Sequence, residues 1–198
     1  DSQVIFKKNN IQTLRNPGMT HNPAIDILFE KVRTKYALLC DSDILIQKPL
    51  YELFSMFFKN DLTSMGEIQY DRGGYKFVCP RVAPYWNLLN LDNIKTKNIK
   101  FYDPERVKKS GSEGFFGNVP LQRNAGGTYY DTGTSFYEDI SKNSLKIGKI
   151  NQKIVDYVNH YEAMSWDAYS NIGNYINRGI GTKKRYLQDC KKFEHVDI

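Results

Sequence analysis

The most constraining feature of this chain is the stretch at residues 36–46, YALLCDSDILI. An apolar and aromatic run leads directly into Asp41, Ser42 and Asp43, and a second apolar triplet follows at once. A short continuous apolar run is typical of a strand that is covered on both faces, and open α/β sheets bind ligands at the carboxyl ends of such strands. The sequence therefore predicts a buried strand that carries two carboxylates to a functional site.

Two amphipathic helices are predicted on either side of this stretch. Asn22 is suited to cap a helix, Pro23 to begin it, and apolar residues recur at helical spacing through residues 23–33. After the stretch, Pro49 introduces a second helix with the same spacing. A strand within residues 1–15 would complete a strand, helix, strand unit with a right-handed parallel crossover. The expected fold class is α/β.

Local signals divide the rest of the chain into further elements. A hairpin is expected around Gly73 and Gly74, because residues 62–70 and 75–78 have strand character on either side of them. The remaining predictions are an extended segment at 84–89, a helix at 91–98, a long functional loop at 103–127, a helix with Asp131 as its N-cap, a strand ending near residue 150, and a segment at 155–161 that supplies His160.

Composition sets outer bounds on the fold and the surroundings of the chain. With 198 residues, 40% of them hydrophobic and 25% charged, we expect a single globular domain over residues 1–198, alone or as part of a longer protein. No run of about 18 apolar residues is present. The three cysteines lack metal-site spacing and indicate a reducing compartment, so the expected location is cytoplasmic, with association at a membrane surface compatible with the charge of +6.

The two carboxylates at Asp41 and Asp43 are informative only in context. Among fourteen aspartates in 198 residues, about one Asp-x-Asp triplet arises by chance. Two carboxylates directly after a buried strand repel each other, however, and desolvation increases the cost. A divalent cation relieves that repulsion, and hard oxygen ligands favour Mg²⁺ or Mn²⁺. The alternative is that these aspartates cap the next helix or lie in a solvated turn.

Two further residues have both a chemical and a structural interpretation. His160 lies among aromatic residues, where a histidine is either a metal ligand or a satisfied core residue. Asp131 is either a helix cap alone or a cap with a catalytic role. Tyr85 and Trp86 lie near the predicted site, where they would stack on sugar rings or pack in the core.

The run at residues 16–50, NPGMTHNPAIDILFEKVRTKYALLCDSDILIQKPL, resembles the donor-binding core of GT-A fold glycosyltransferases, particularly family 2-like enzymes. In those enzymes a helix precedes a strand that ends in a DxD motif. Three later segments, RVAPYWNLLNLDNIKTKNIKFYD, YYDTGTSFYEDI and VNHYEAMSW, resemble the part after the metal motif, the acceptor-side Asp with its helix, and the late histidine element. The resemblance covers roughly residues 10–166, and only the DxD element is distinctive by itself.

The resemblance implies a fold, a set of site residues and an activity. The implied fold is a Rossmann-like α/β/α sandwich of three layers around a mixed, mostly parallel sheet. Asp43 would bind Mn²⁺ or Mg²⁺, Asp41 would help to hold the metal or the ribose, and His160 would be a further metal or diphosphate ligand. Asp131 would be the general base that deprotonates an acceptor hydroxyl. The implied catalytic domain moves a sugar from a nucleoside-diphosphate sugar to a glycan or other acceptor, with inversion, in glycan or polysaccharide synthesis.

One departure from the family pattern leaves other functions open. The DxD motif comes after only forty residues, whereas family 2-like enzymes place a further strand-helix unit before it, so the nucleobase pocket belongs either to a missing N-terminal portion or to another element. A nucleotidyltransferase would share the metal carboxylates but release pyrophosphate. A non-catalytic basic module would bind nucleic acid through its lysines, although nucleic acid is the less favoured partner.

Overall fold

The computed structural model describes residues 21–72, 75–109, 128–150, 154, 156–161 and 184–191. The fold is α/β with a mixed sheet, which confirms the predicted class. The helices are α1 (His21–Lys31), α2 (Tyr51–Lys59), α3 (Leu91–Thr96), α4 (Pro104–Lys109) and α5 (Thr134–Lys142). The strands are β1 (Tyr36–Cys40), β2 (Ile44–Ile46), β3 (Ser64–Arg72), β4 (Tyr75–Asn90), β5 (Thr128–Tyr129), β6 (Ile147–Lys149) and β7 (Val158–His160), and residues 184–190 are also helical.

The main sheet has the strand order β1-β4-β3-β6, and the short β5 pairs with β4. β4 is antiparallel to both β1 and β3, whereas the pairs β3–β6 and β4–β5 are parallel. The expected mostly parallel sheet is therefore wrong for the described strands. The tight β3–β4 hairpin, with Arg72 opposite Tyr75, forces an antiparallel pair at the centre of the sheet, and the long β4 continues to pair antiparallel with β1.

The stretch at residues 36–46 is two strands in two sheets, not one strand. β1 belongs to the main sheet, whereas β2 pairs with β7 in a separate two-stranded ribbon. Burial on both faces of β1 is also a wrong prediction, because its side chains alternate and Tyr36 and Leu38 are exposed. Ala37 and Leu39 pack against the core from one face of β1. On the other face, the partly exposed Tyr36 ring contacts Phe57 edge-on at 6.0 Å.

Most of the predicted local elements are present at their expected places. α1 buries Ile25 and Phe29, and α2 buries Leu53 and Phe57, as the helical spacing indicated. The β3–β4 hairpin, the helix α3 and the strand β6 also match their predictions. α4 occupies part of the segment expected to be a loop, because Asp103 accepts the backbone N–H groups of Glu105 and Arg106 at its start. The predicted strand within residues 1–15, and with it the crossover, lies outside the described residues.

Asp131 is not the N-cap of the helix that follows it. That position belongs to Gly133, whose φ of 83° lies in the left-handed region that favours glycine. A Cβ at Gly133 would also overlap the carbonyl oxygen of Val82. α5 therefore begins at Thr134, after a turn in which the Thr134 N–H donates to the backbone oxygen of Asp131 at 3.0 Å.

β4 contains a large bulge beside β1. Gly66 of β3 pairs with Asn87 of β4, and Ile68 of β3 pairs with Val82 of β4. Between these two pairs, β4 therefore contains more residues than β3. The extra residues of β4, which include Tyr85, are thereby displaced from regular pairing with β3. Bulges commonly occur next to functional sites because they redirect a side chain.

Asp26 joins α1 to the segment after α3. Its two carboxylate oxygens accept the backbone N–H groups of Phe101 at 2.6 Å and Tyr102 at 3.1 Å. Burial raises the pKa of Asp26, and these two hydrogen bonds oppose that rise. No helix in the ranges described above is long and apolar enough to cross a bilayer.

Asp26→Ala should lower the free energy of unfolding by about 2–3 kcal/mol, because two backbone donors, one of them on fully buried Phe101, lose their acceptor. Urea denaturation followed by circular dichroism measures this loss. Glu30→Ala is the matched control in the same helix: Glu30 pairs only at the surface with Lys100, and we expect a change below about 1 kcal/mol. Equal losses in the two variants would contradict the proposed role of Asp26.

Candidate metal site

Asp41 and Asp43 lie where the chain leaves the main sheet. β1 ends at Cys40, opposite Trp86 of β4, and the N–H of Asp41 then donates to the carbonyl oxygen of Tyr85 at 2.9 Å. The chain turns at once and enters β2 at Ile44. The prediction that these carboxylates follow the end of a strand is thus confirmed, because β1 is the five-residue run that precedes Asp41.

The β2–β7 ribbon brings His160 to the same place. Ile44 lies opposite His160 in this antiparallel pair, and the N–H of Tyr161 donates to the carbonyl oxygen of Asp43 at 2.9 Å. A further bond from the Gln47 N–H to the Tyr157 oxygen, at 2.7 Å, extends the ladder at its other end. Backbone hydrogen bonds on both sides of His160 therefore fix its position beside Asp43.

Asp41, Asp43 and His160 form a cluster of potential metal ligands. One ligand atom from each of the three residues lies within 4.8 Å of those from the other two. Asp43 Oδ1 is 3.5 Å from His160 Nε2, and these two side chains are 19% and 20% exposed. Asp43 Oδ1 itself is inaccessible to water and has no hydrogen-bond partner among the described residues, since its approach to Nε2 lacks hydrogen-bond geometry.

This arrangement fits a hard divalent cation. A buried carboxylate oxygen without a hydrogen-bond donor carries a substantial desolvation cost. Neighbouring ligands bound at about 2.1 Å to one ion are separated by about 3.0–3.5 Å, which the Asp43–His160 distance matches. The two carboxylates suit Mn²⁺ or Mg²⁺, whereas the imidazole nitrogen is also a ligand for softer ions such as Zn²⁺. Burial, and then the charges of Asp41 and Asp43, raise the pKa of the nearby Cys40 thiol to about 11.

Tyr85 contacts this cluster, and Glu67 contacts Tyr85. The Tyr85 ring stacks on the His160 imidazole, with centroids 4.3 Å apart and planes 13° from parallel. The Tyr85 hydroxyl donates to Glu67 Oε2. The sequence named Tyr85 only as an aromatic residue near the site, and no sequence signal identified Glu67, because the bulge that brings them together depends on strand register.

The helical segment at residues 184–190 packs next to the cluster, through Tyr161. The Tyr161 hydroxyl donates to Asp189 Oδ2 at 2.6 Å, and the Tyr186 ring meets the Tyr161 ring edge-on at 5.0 Å. A hydrogen bond with Cys190, burial, and the negative charges of Cys190 and Asp43 raise the pKa of Tyr186. Arg185 lies over the Tyr161 ring at 5.5 Å. A basic residue of this late segment thus contacts the residue that directly follows His160 in the chain.

Asp131 is not a member of the cluster and is instead paired with Arg81 of β4. Arg81 Nη1 contacts Asp131 Oδ2, while Arg81 Nε and Nη2 donate to Gln69 Oε1 at 2.8 and 2.6 Å. The N–H of Thr132 donates to the other carboxylate oxygen of Asp131 at 2.7 Å. Arg81 is only 4% exposed. This ion pair holds the Asp131 carboxylate in one orientation.

The other candidate aromatic residue, Trp86, lies in the core. It is fully buried with Leu53, Phe57 and Met65 beneath α2. The structure therefore supports core packing, not sugar stacking, for this side chain. Its indole N–H has no hydrogen-bond partner among the described residues.

No protein-family model matches this sequence, and no curated protein matches it significantly in sequence. The resemblance to GT-A glycosyltransferases therefore stays a prediction from the sequence motifs.

Proposed function

We propose that this chain is a metal-dependent glycosyltransferase domain that moves a sugar from a nucleoside-diphosphate sugar to an acceptor hydroxyl, with inversion. The observation that carries the proposal is the grouping of Asp41, Asp43 and His160 around a buried carboxylate oxygen that lacks a hydrogen-bond partner among the described residues. These residues come from distant parts of the chain, so a chance Asp-x-Asp triplet does not account for their meeting. The proposed fold is the three-layer GT-A sandwich, of which the described mixed sheet would form the centre.

Each of the three residues has a proposed role in binding a Mn²⁺ or Mg²⁺ ion. Asp43 Oδ1 and His160 Nε2 face each other and supply two ligands, and Asp41 supplies a third or binds the ribose. When bound, the cation neutralises the charge that develops on the departing nucleoside diphosphate. Arg185 lies over the ring of Tyr161, the residue after His160, and we propose that its positive charge favours an anionic substrate at this site.

Asp131 is the proposed general base. Its Oδ2 is held by Arg81 and its Oδ1 by the Thr132 N–H, so its orientation is set before an acceptor binds. A preset carboxylate would accept the proton of the acceptor hydroxyl as that oxygen attacks the anomeric carbon. Direct displacement of this kind inverts the anomeric centre. The acceptor is proposed to be a glycan or another hydroxyl compound, used in glycan or polysaccharide synthesis.

Thermal stability in the presence of nucleoside diphosphates tests this function. At a hundredfold excess over its dissociation constant, a ligand should stabilise the fold by about 2.7 kcal/mol, a rise of several degrees in Tm. We expect this rise with one or more nucleoside diphosphates in the presence of Mn²⁺, and much less without the metal.

Three other results would contradict the proposal. A panel of nucleoside diphosphates that leaves Tm unchanged with Mn²⁺ present would remove its support. Release of pyrophosphate from nucleoside triphosphates would indicate a nucleotidyltransferase. Steeply salt-dependent binding to polynucleotides, unaffected by Mn²⁺, would indicate a basic binding module.

A further inference from the structure

We propose that Tyr85 and Glu67 are positioning residues that set the orientation of the His160 imidazole, an inference that rests on the proposed metal site. Neither residue supplies a ligand atom to the cluster of Asp41, Asp43 and His160. Tyr85 acts through its ring on His160, and Glu67 acts through the hydroxyl of Tyr85.

The stacked ring restricts how the imidazole can turn. Tyr85 covers one face of His160 at a centroid separation of 4.3 Å, with the planes 13° from parallel. Rotating the imidazole out of this plane would drive it into the tyrosine ring. The contact therefore favours the orientation in which Nε2 lies 3.5 Å from Asp43 Oδ1.

Tyr85 also holds the other side of the cluster. Its carbonyl oxygen accepts the N–H of Asp41 at 2.9 Å, directly after β1 ends. The same residue thus contacts the backbone of one candidate ligand and the side chain of another. This double contact depends on the bulge of β4 between Val82 and Asn87, which displaces Tyr85 from regular pairing with β3.

Glu67 restrains the outer end of the Tyr85 ring. Its carboxylate accepts the phenol hydrogen, and a hydrogen bond to an ionised acceptor is stronger than one between neutral groups. Glu67 lies in β3 between buried Gly66 and buried Ile68, so its backbone is well fixed. Partners outside the ligand shell typically change metal affinity tenfold to a hundredfold.

A purely structural role for Tyr85 is the competing explanation, because its ring also packs against the core cluster beneath α2. Three substitutions separate the two roles. Tyr85→Phe keeps the packing and the stack but loses the bond to Glu67. Glu67→Gln keeps a neutral acceptor for the Tyr85 hydroxyl, and Tyr85→Leu removes the stack. Tyr51→Leu is the control, since Tyr51 is 68% exposed on α2.

The experiment is Mn²⁺ binding to the full chain, followed by the electron paramagnetic resonance signal of free Mn²⁺ and by the ¹⁴N coupling of bound Mn²⁺. We expect wild type to bind Mn²⁺ with an imidazole ¹⁴N coupling. Tyr85→Leu should raise Kd by about tenfold to a hundredfold and weaken that coupling. Tyr85→Phe should raise Kd several-fold and alter the coupling. Glu67→Gln should have a Kd between those of Tyr85→Phe and wild type. Tyr51→Leu should have the Kd and the coupling of wild type.

The outcomes distinguish this inference from the proposed function. If wild type binds Mn²⁺ and the Tyr85 and Glu67 variants keep its Kd and ¹⁴N coupling, the positioning role is wrong and the metal site stands. If wild type binds no Mn²⁺, both are wrong. Should Tyr85→Leu fail to fold, Tyr85→Phe and Glu67→Gln decide the matter, because they preserve the packing: an unchanged Kd and coupling in both would overturn the inference.

Discussion

Asp43→Asn should weaken Mn²⁺ binding by more than about a hundredfold, beyond the effect of residues outside the ligand shell, and should abolish turnover while leaving the metal-free fold intact. Asp43 Oδ1 is buried and has no hydrogen-bond donor among the described residues, so the substitution removes no hydrogen bond of that atom. The His160 imidazole, with Nε2 at 3.5 Å, attracts the carboxylate only when the ring is protonated. An amide oxygen is neutral and a poorer ligand for a hard cation. The substitution also relieves the repulsion between Asp43 and Asp41, so we expect no fall in Tm without metal.

Two measurements on the same samples check this result. Mn²⁺ titration reports the affinity, and thermal denaturation without metal reports the stability. Asp92→Asn serves as the matched control, because Asp92 is an exposed aspartate in the first turn of α3 and belongs to no ligand cluster among the described residues. Wild-type Mn²⁺ affinity in Asp43→Asn would exclude Asp43 as a ligand, and a large fall in metal-free Tm would show that its role is structural.

Arg81→Met should lower the free energy of unfolding by about 3 kcal/mol, the lower end of the range for breaking a buried ion pair. The Arg81 side chain is 5% exposed and that of Asp131 is 21% exposed, so the carboxylate left behind regains only part of its hydration. Gln69 Oε1 also loses the two hydrogen bonds that it accepts from Nε and Nη2 of the guanidinium. The apolar stem of methionine preserves contact with the Phe77 ring, over which Arg81 lies at 4.8 Å.

A double substitution separates the charge effect from packing. Adding Asp131→Asn removes the unpaired carboxylate. The double variant should therefore lose less unfolding free energy than the two single variants lose together, by about 1 kcal/mol or more. Urea denaturation monitored by the fluorescence of buried Trp86 follows all four proteins. Lys100→Met, which breaks the exposed pair with Glu30, should change stability by less than about 1 kcal/mol. Strict additivity would contradict a coupled Arg81–Asp131 pair.

Local patterns in the sequence predicted the local elements well. Apolar residues at helical spacing identified α1 and α2, and Gly73 with Gly74 identified the β3–β4 hairpin. These signals need only neighbouring residues, so no knowledge of the rest of the chain is required. The candidate metal ligands were identified from their residue types, from their position after a strand and from the family resemblance. The structure places these residues, Asp41, Asp43 and His160, together.

Features that depend on distant pairing were not predictable from the same patterns. The direction of β4 relative to β1 follows from the hairpin with β3, and the separate β2–β7 ribbon follows from pairing between residues far apart in the chain. Strand register also creates the bulge that presents Tyr85. Asp131 was predicted to be a helix N-cap because aspartate is common at that position. The N-cap is instead Gly133, whose left-handed backbone conformation places the start of α5 two residues later.

The β2–β7 ribbon has a consequence for the order in which the protein matures during synthesis. Asp41 and Asp43 leave the ribosome first, whereas His160 and the strand that holds it follow more than a hundred residues later. Contacts between such distant residues carry a loop-closure cost and form late. A nascent or truncated chain that stops before residue 158 therefore carries both carboxylates without the histidine. Cation affinity, and the activity proposed to depend on it, would appear only after residue 160 has left the ribosome.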